Sequence, residues 1–227
     1  NNFEKLERIE AASVKNVYKI KDKKSGDIYI AYVSDHAIDE YNSEIKINIK
    51  CELNIISRLN HPAIIRFILY SPNNFKGKPK PIIMTELAEN GSLQYILDLE
   101  RKGIGHHNWD DTKKLINIYG IASAMQYMHN NHILHRDLKP ANILLDEFLY
   151  PKIADFGLSK NILDQEIFDD DQSPNKDINT SGFKGTYAYC PPEVFQNQEY
   201  SKYGDVYAFG LIVYEILTNR IVFQGFN

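Results

Sequence analysis

The stretch His135-Arg136-Asp137-Leu138-Lys139-Pro140-Ala141-Asn142 runs straight into the apolar Ile143-Leu144-Leu145. This polar loop feeding a short apolar run narrows the possible folds more than any other part of the chain. Between Asp137 and Asn142 it gathers a carboxylate, an ammonium (Lys139) and an amide. Phosphoryl transfer uses these groups: a carboxylate to orient a hydroxyl, a cation for the moving phosphoryl group, and an amide oxygen for Mg²⁺.

Composition removes several alternatives. The 227 residues are 43% hydrophobic and 25% charged, which is ordinary for a folded domain, and the length allows one large domain or two small ones. A net charge of −4 gives no broad electrostatic case for nucleic acid or an anionic membrane. The two cysteines, Cys51 and Cys190, form no disulfide framework and favour a reducing compartment. No apolar run reaches the length of a membrane span, and no signal peptide opens the sequence. The first residue is Asn, so a fragment or a processed chain is expected. The expected location is cytoplasmic, with a flanking anchor left open.

Periodicity and turn residues give a coarse map. Phe3 to Ile9, Val14 to Ile20 and Asp27 to Val33 read as strands, the last two joined by a charged turn ending in Gly26. Ile45, Ile49, Leu53 and Ile56 recur at near-helical spacing within Tyr41 to Asn60, and His61-Pro62 ends the run. Phe67 to Tyr70 and Pro81 to Glu86 are two further strands, and residues 71–80, rich in Pro and Lys, form a surface loop. Ser92 caps a helix through Arg101. His106 and His107 have no further ligand at metal-site spacing and read as solvated. A long helix from Trp109 to Asn130 carries the stripe Leu115, Ile118, Tyr119, Ala122, Met125 and Met128, read as core. Ser201 to Thr218 is the most apolar helix.

Together with Asp155-Phe156-Gly157, Pro191-Pro192-Glu193 and Asp205-Val206-Tyr207-Ala208-Phe209-Gly210, the opening string resembles eukaryotic protein kinases. The resemblance covers essentially the whole chain. Lys139-Pro140 after the aspartate and Asn90-Gly91-Ser92-Leu93 after the hinge are similar to the tyrosine-kinase-like group of serine/threonine kinases. It implies an α+β, two-lobed kinase fold, with residues 1–87 as the N-lobe and 88–227 as a C-lobe cut short after its sixth helix, called helix F. An exposed apolar face on that helix is the expected consequence.

The resemblance also implies roles. Asp137 is the base, Lys139 the cation on the γ-phosphoryl group, and Asn142 and Asp155 the Mg²⁺ ligands. Glu52 is the glutamate of helix C, the N-lobe's helix. It either turns inward towards Lys15 or Tyr32, or faces solvent. Val17, Ile30, Thr85, Glu86, Leu87, Ala88 and Leu144 surround ATP, and Asp205 supports the catalytic-loop backbone. Ile56, Phe67, His135 and Phe156 form the regulatory spine. Arg136 pairs with a phosphate on the activation segment, at Thr180 or Ser181 and less readily at Ser173. The expected partner is a protein substrate carrying Ser or Thr, and the sequence sets no oligomeric state.

Two departures stand out. The Gly-rich phosphate flap aligns with Glu10-Ala11-Ala12-Ser13-Val14-Lys15-Asn16-Val17 and has none of its glycines. Glycine allows close backbone approach and positive φ, which cost an L-residue about 1–2 kcal/mol. The third strand aligns as Tyr29-Ile30-Ala31-Tyr32, with Tyr32 at the position of the phosphate-binding lysine and Ile30 at that of the small roof residue. Lys15, at the third glycine position, resembles the substitute lysine of the with-no-lysine kinases; it also reads as an ordinary exposed hairpin lysine. An enzyme with impaired ATP binding and a pseudokinase acting as a binding module therefore both stand.

Overall fold

The computed structural model describes residues 2–9, 15–35, 43–163, 187–196 and 199–223. They fall into two compact units: residues 1–59 with 65–87, and residues 60–64 with 88–227.

Unit 1 is a five-stranded antiparallel sheet with one helix. Its strands are β1 (Phe3–Ile9), β2 (Lys15–Asp22), β3 (Ile28–Ser34), β4 (Phe67–Ser71) and β5 (Ile82–Glu86), in the order β1-β2-β3-β5-β4; α1 spans Ser43–Ile56. The strands match the expected ones to within about two residues at each end, whereas α1 stops at Ile56, four residues before the expected Asn60. The strands alternate. Tyr29, Ala31 and Val33 of β3 join Ile20, Ile82 and Met84 in one apolar layer, whereas Ile30 and Tyr32 occupy the opposite face. The loop after β4 is more than a solvated link. Its Phe75 packs on that layer, and the Lys5 ammonium lies 3.7 Å from the Tyr18 ring centre and 4.8 Å from that of Phe75.

Unit 2 contains α2 (Leu93–Arg101), α3 (Asp111–Asn130), the short strands β6 (Ile133–Leu134), β7 (Ile143–Leu145), β8 (Pro151–Ile153) and β9 (Lys160–Asn161), then α4 (Pro192–Phe195) and α5 (Lys202–Thr218). The starts of α2, α3 and α5 are capped by side chains: Ser92 accepts from the Tyr95 amide, Asp110 from Lys113 and Ser201 from Tyr203. The two antiparallel pairs β6–β9 and β7–β8 bracket the polar loop.

The apolar stripe expected on α3 is corrected. Leu115 is 62% exposed and Tyr119 is 78% exposed. The face that packs is Asn117, Ile121, Ala124, Met125 and Met128. The buried Asn117 amide donates to the Lys113 and Leu149 carbonyls, so a polar residue anchors this face. On α5 an exposed apolar face is present, with Tyr203, Val206, Tyr214 and Leu217 recurring along one side. Among the described residues, no helix is long and apolar enough to cross a membrane.

Candidate active site

The polar loop of unit 2 is held by one buried carboxylate. Asp205, in the first turn of α5, is fully buried. Its Oδ2 accepts from the His135 amide at 3.0 Å and lies 2.8 Å from His129 Nε2. Its Oδ1 accepts from the Arg136 amide at 3.0 Å and from the Tyr200 hydroxyl at 2.8 Å. Burial alone would raise the Asp205 carboxyl, but the His129 hydrogen bond, the charge of His135 and the two backbone donors hold it below the usual range. Tyr200 is pushed up, first by burial and then by Asp205. Its ring reaches this position because residue 204 is glycine: a Cβ there would fall 2.6 Å from the Tyr200 ring.

This support allows an unfavourable backbone. Arg136 has φ 69° and Asp155 has φ 62°. Left-handed conformations at such residues cost about 1–3 kcal/mol and persist where the surroundings over-determine them. Arg136 is pinned through its own amide. The Arg136 guanidinium is largely buried, and desolvation lowers its pKa.

The candidate catalytic groups meet directly. Lys139 Nζ lies 2.8 Å from Asp137 Oδ2. The Asn142 side-chain amide donates to the Asp137 carbonyl at 2.7 Å and to Asp137 Oδ2 at 2.9 Å. Its NH₂ end is thereby committed to Asp137, and its carbonyl end is the one left for a cation. Asp155 is brought to the same loop through the backbone. β7 pairs with β8, and the Ala154 amide donates to the Asn142 carbonyl at 2.9 Å. His135 reinforces the junction, with Nε2 3.0 Å from the Ala154 carbonyl and its ring in edge contact with Phe156 at 5.3 Å. Asp155 itself is exposed. Among the described residues no three His, Cys, Asp or Glu side chains converge on a metal-sized site. One carboxylate and one amide oxygen nevertheless fit Mg²⁺, which keeps waters and phosphate oxygens as its other ligands. Leu144 sits half-buried in β7.

Val17 pairs with Tyr32 and Ile30 with Thr85, so Val17, Ile30, Tyr32 and Thr85 share one face of the sheet, whereas Glu86, paired with Tyr29, falls on the other; the Lys15 backbone pairs with Ser34. Val17, Ile30 and Thr85 are buried. The Thr85 hydroxyl donates to the Glu86 carbonyl at 3.1 Å, and the Glu86 side chain accepts from the Arg66 amide at 2.9 Å. Glu52 in α1 is 9% exposed, so of its two expected orientations the buried one is found, and neither it nor Tyr32 is without a polar partner. Leu87 ends unit 1 and Ala88 begins the next stretch of unit 2. The Lys15 side chain, flap residues 10–14 and the candidate phosphorylation residues Ser173, Thr180 and Ser181 lie outside the described residues.

Sequence reasoning missed His129 and Tyr200 as partners of Asp205. It also missed a buried ion pair: Arg101 of α2 binds Glu215 of α5, which in turn accepts from the Tyr189 hydroxyl. A lone glutamate inside the most apolar helix was the available signal, because buried charges require partners.

The protein kinase domain family matches residues 3–227. The chain is 36% identical over its whole length to a cysteine-rich receptor-like protein kinase 10 of Oryza sativa subsp. japonica, covering 32% of that protein. It is 33% identical over 86% of its length to a protein of the same name from Arabidopsis thaliana, covering 28% of it. It is 39% identical over 76% of its length to a cysteine-rich receptor-like protein kinase 6 of Oryza sativa subsp. japonica, covering 23% of it. The chain thus spans about a third or less of the length of these three curated relatives.

Proposed function

Because the chain belongs to the protein kinase family, we propose that it transfers the γ-phosphoryl group of ATP to serine or threonine hydroxyls of a protein substrate, with impaired ATP binding. The observation that carries this reading is the Asp137–Lys139–Asn142 cluster, fixed by the buried Asp205. Bound Mg·ATP supplies the phosphoryl group and the metal charge that offsets its negative charge. Asp137 accepts a hydrogen bond from the acceptor hydroxyl, orients it and takes its proton. Lys139, held beside that carboxylate, supplies the cation that offsets the negative charge of the transferring phosphoryl group. Asn142 and Asp155 hold the metal through hard oxygens. Lys139 followed by Pro140 favours Ser/Thr over Tyr acceptors.

Impaired ATP binding rests on the sheet face of unit 1. Tyr32 offers no fixed positive charge, and buried Ile30 occupies the position of a small roof residue. Lys15 is the proposed substitute cation. Its backbone stands in the adjacent strand, two residues along from Tyr32's partner Val17. A cytoplasmic location goes with this reading, since the relatives are named receptor-like kinases and the reaction consumes ATP.

A second reading, a pseudokinase that binds partners without turnover, is favoured by the same Tyr32 and Ile30. To separate the two, the domain is incubated with Mg²⁺, labelled ATP and matched peptides differing only in Ser/Thr or Tyr. Label on the Ser/Thr peptide, lost in Asp137→Asn and reduced in Lys15→Ala, is expected. Equal signals from wild type and Asp137→Asn would leave only the pseudokinase; undiminished transfer in Lys15→Ala would remove the substitute role.

A further inference from the structure

On the face of the unit 1 sheet that carries Tyr29, Ala31 and Val33, there is a cavity of about 340 Å³. Leu69 and Met84 form its floor, Phe3 and Phe75 its walls, and Asn73 and Asn74 part of its rim. Phe3, Leu69 and Phe75 are only half-buried, so the cavity presents apolar surface. The volume lies at the lower end of the range for ligand pockets, about 300–1,000 Å³.

The cavity is built rather than incidental. The loop after β4 is closed on itself: Asn74 Oδ1 accepts from the Lys76 and Lys78 amides, and the Asn74 amide donates to the Lys78 carbonyl at 2.8 Å. Gly77, at φ 73°, makes this turn possible. Phe75 is then held over the sheet by the Lys5 clamp. The turn after β2 adjoins the cavity too, because the Lys23 amide donates to the carbonyl of Asn2, which lines it.

Both loops carry exposed lysines: Lys23 and Lys24 on one, Lys76 and Lys78 on the other. Among the described residues Asp22 and Asp27 are nearby acids, and both are engaged: Asp22 Oδ1 accepts from the Lys24 amide at 2.7 Å and Asp27 Oδ2 from the Tyr29 hydroxyl at 3.3 Å. We propose that the cavity docks an acidic protein segment with one large apolar side chain. The apolar residue seats between Phe3 and Phe75, the flanking carboxylates meet Lys24, Lys76 and Lys78, and the asparagine amides bond the segment's backbone. Charge complementarity selects the acidic partner. The recessed apolar floor selects a peptide over an anionic bilayer, whose flat surface does not reach into a concavity. The proposal is independent of phosphoryl transfer, and its test uses no ATP.

The probe is the fluorescent peptide Asp-Glu-Asp-Phe-Glu-Asp, titrated with the whole chain by anisotropy. Saturable binding that weakens with salt is expected, with a roughly tenfold loss for the Lys76→Glu, Lys78→Glu double variant and for a Phe-to-Ser peptide. Both lysines are exposed, so the double variant should melt like wild type. Shifts of the Met84 methyl resonance on adding peptide give a second, variant-free readout. The proposal is overturned by absent binding, by equal binding of the Ser peptide, by an unaffected double variant, or by lysine-dependent binding to phosphatidylserine vesicles without peptide binding.

Discussion

The polar loop of unit 2 and the face of the unit 1 sheet that carries Ile30 and Tyr32 differ in how the proposed function and the fold are coupled. In the loop the same groups do both jobs. Asn142 bonds the Asp137 backbone as well as its carboxylate, and His135 bridges to Ala154. Losing these side chains would dismantle the loop. On the sheet, strand pairing needs only backbone groups, and β3 pairs regularly with β2 and β5 around Tyr32 and Ile30. A phosphate-binding lysine can therefore be replaced there without cost to the sheet. Side chains hold the one region together, whereas the backbone alone holds the other.

The sharpest way to break this comparison is at its anchor. Asp205→Ala should cost about 3–5 kcal/mol, as removing one partner from a buried charged network does. Chemical denaturation would measure the loss. The pH dependence has a definite sign. The folded Asp205 pKa is depressed, so its contribution is present above the unfolded value and is lost as pH falls below about 4 through the folded one. An Asp205→Asn variant should show a flatter acid limb than wild type.

Asp155 sharpens the contrast within unit 2. Its carboxylate is exposed, so its retention is not explained by packing. Asp155→Asn should leave the melting temperature within experimental error and lower Mg²⁺-dependent transfer by roughly 10²–10³-fold. A large fall in stability instead would assign it a structural role.

On the sheet, Tyr32→Lys should restore a cation and lower the KM for ATP roughly tenfold, with kcat changed less. Unchanged KM would show that the lost lysine is not what weakens binding. The smallest effect is a control away from both regions: Ser92→Ala removes the cap of α2 and should cost about 1 kcal/mol, read by thermal unfolding.

Most of the fold was legible because strand alternation and capping residues are local signals. β1 and α2 fall where Phe3 to Ile9 and Leu93 to Arg101 were expected. The α3 stripe was misread because the helix has two apolar arcs. Leu115, Ile118, Tyr119 and Ala122 have the right period, but the packed face is the one carrying Asn117, whose NH₂ group donates to the Leu149 carbonyl, 32 residues away in sequence. Within the site, Asp137, Lys139 and Asn142 are close in sequence and were readable together. His129 reaches Asp205 across 76 residues, a convergence only the tertiary fold creates, whereas Tyr200 lies five residues away and its ring has to fold back past Gly204.

The central claim is that intact transfer chemistry is joined to a weakened grip on nucleotide. The direct measurement is the initial rate of phosphoryl transfer against ATP concentration, for wild type and Asp137→Asn. The account predicts a saturable, Asp137-dependent rate with a KM above the usual range of about 1 μM to 1 mM. A wild-type rate no higher than that of Asp137→Asn at any ATP concentration would contradict it.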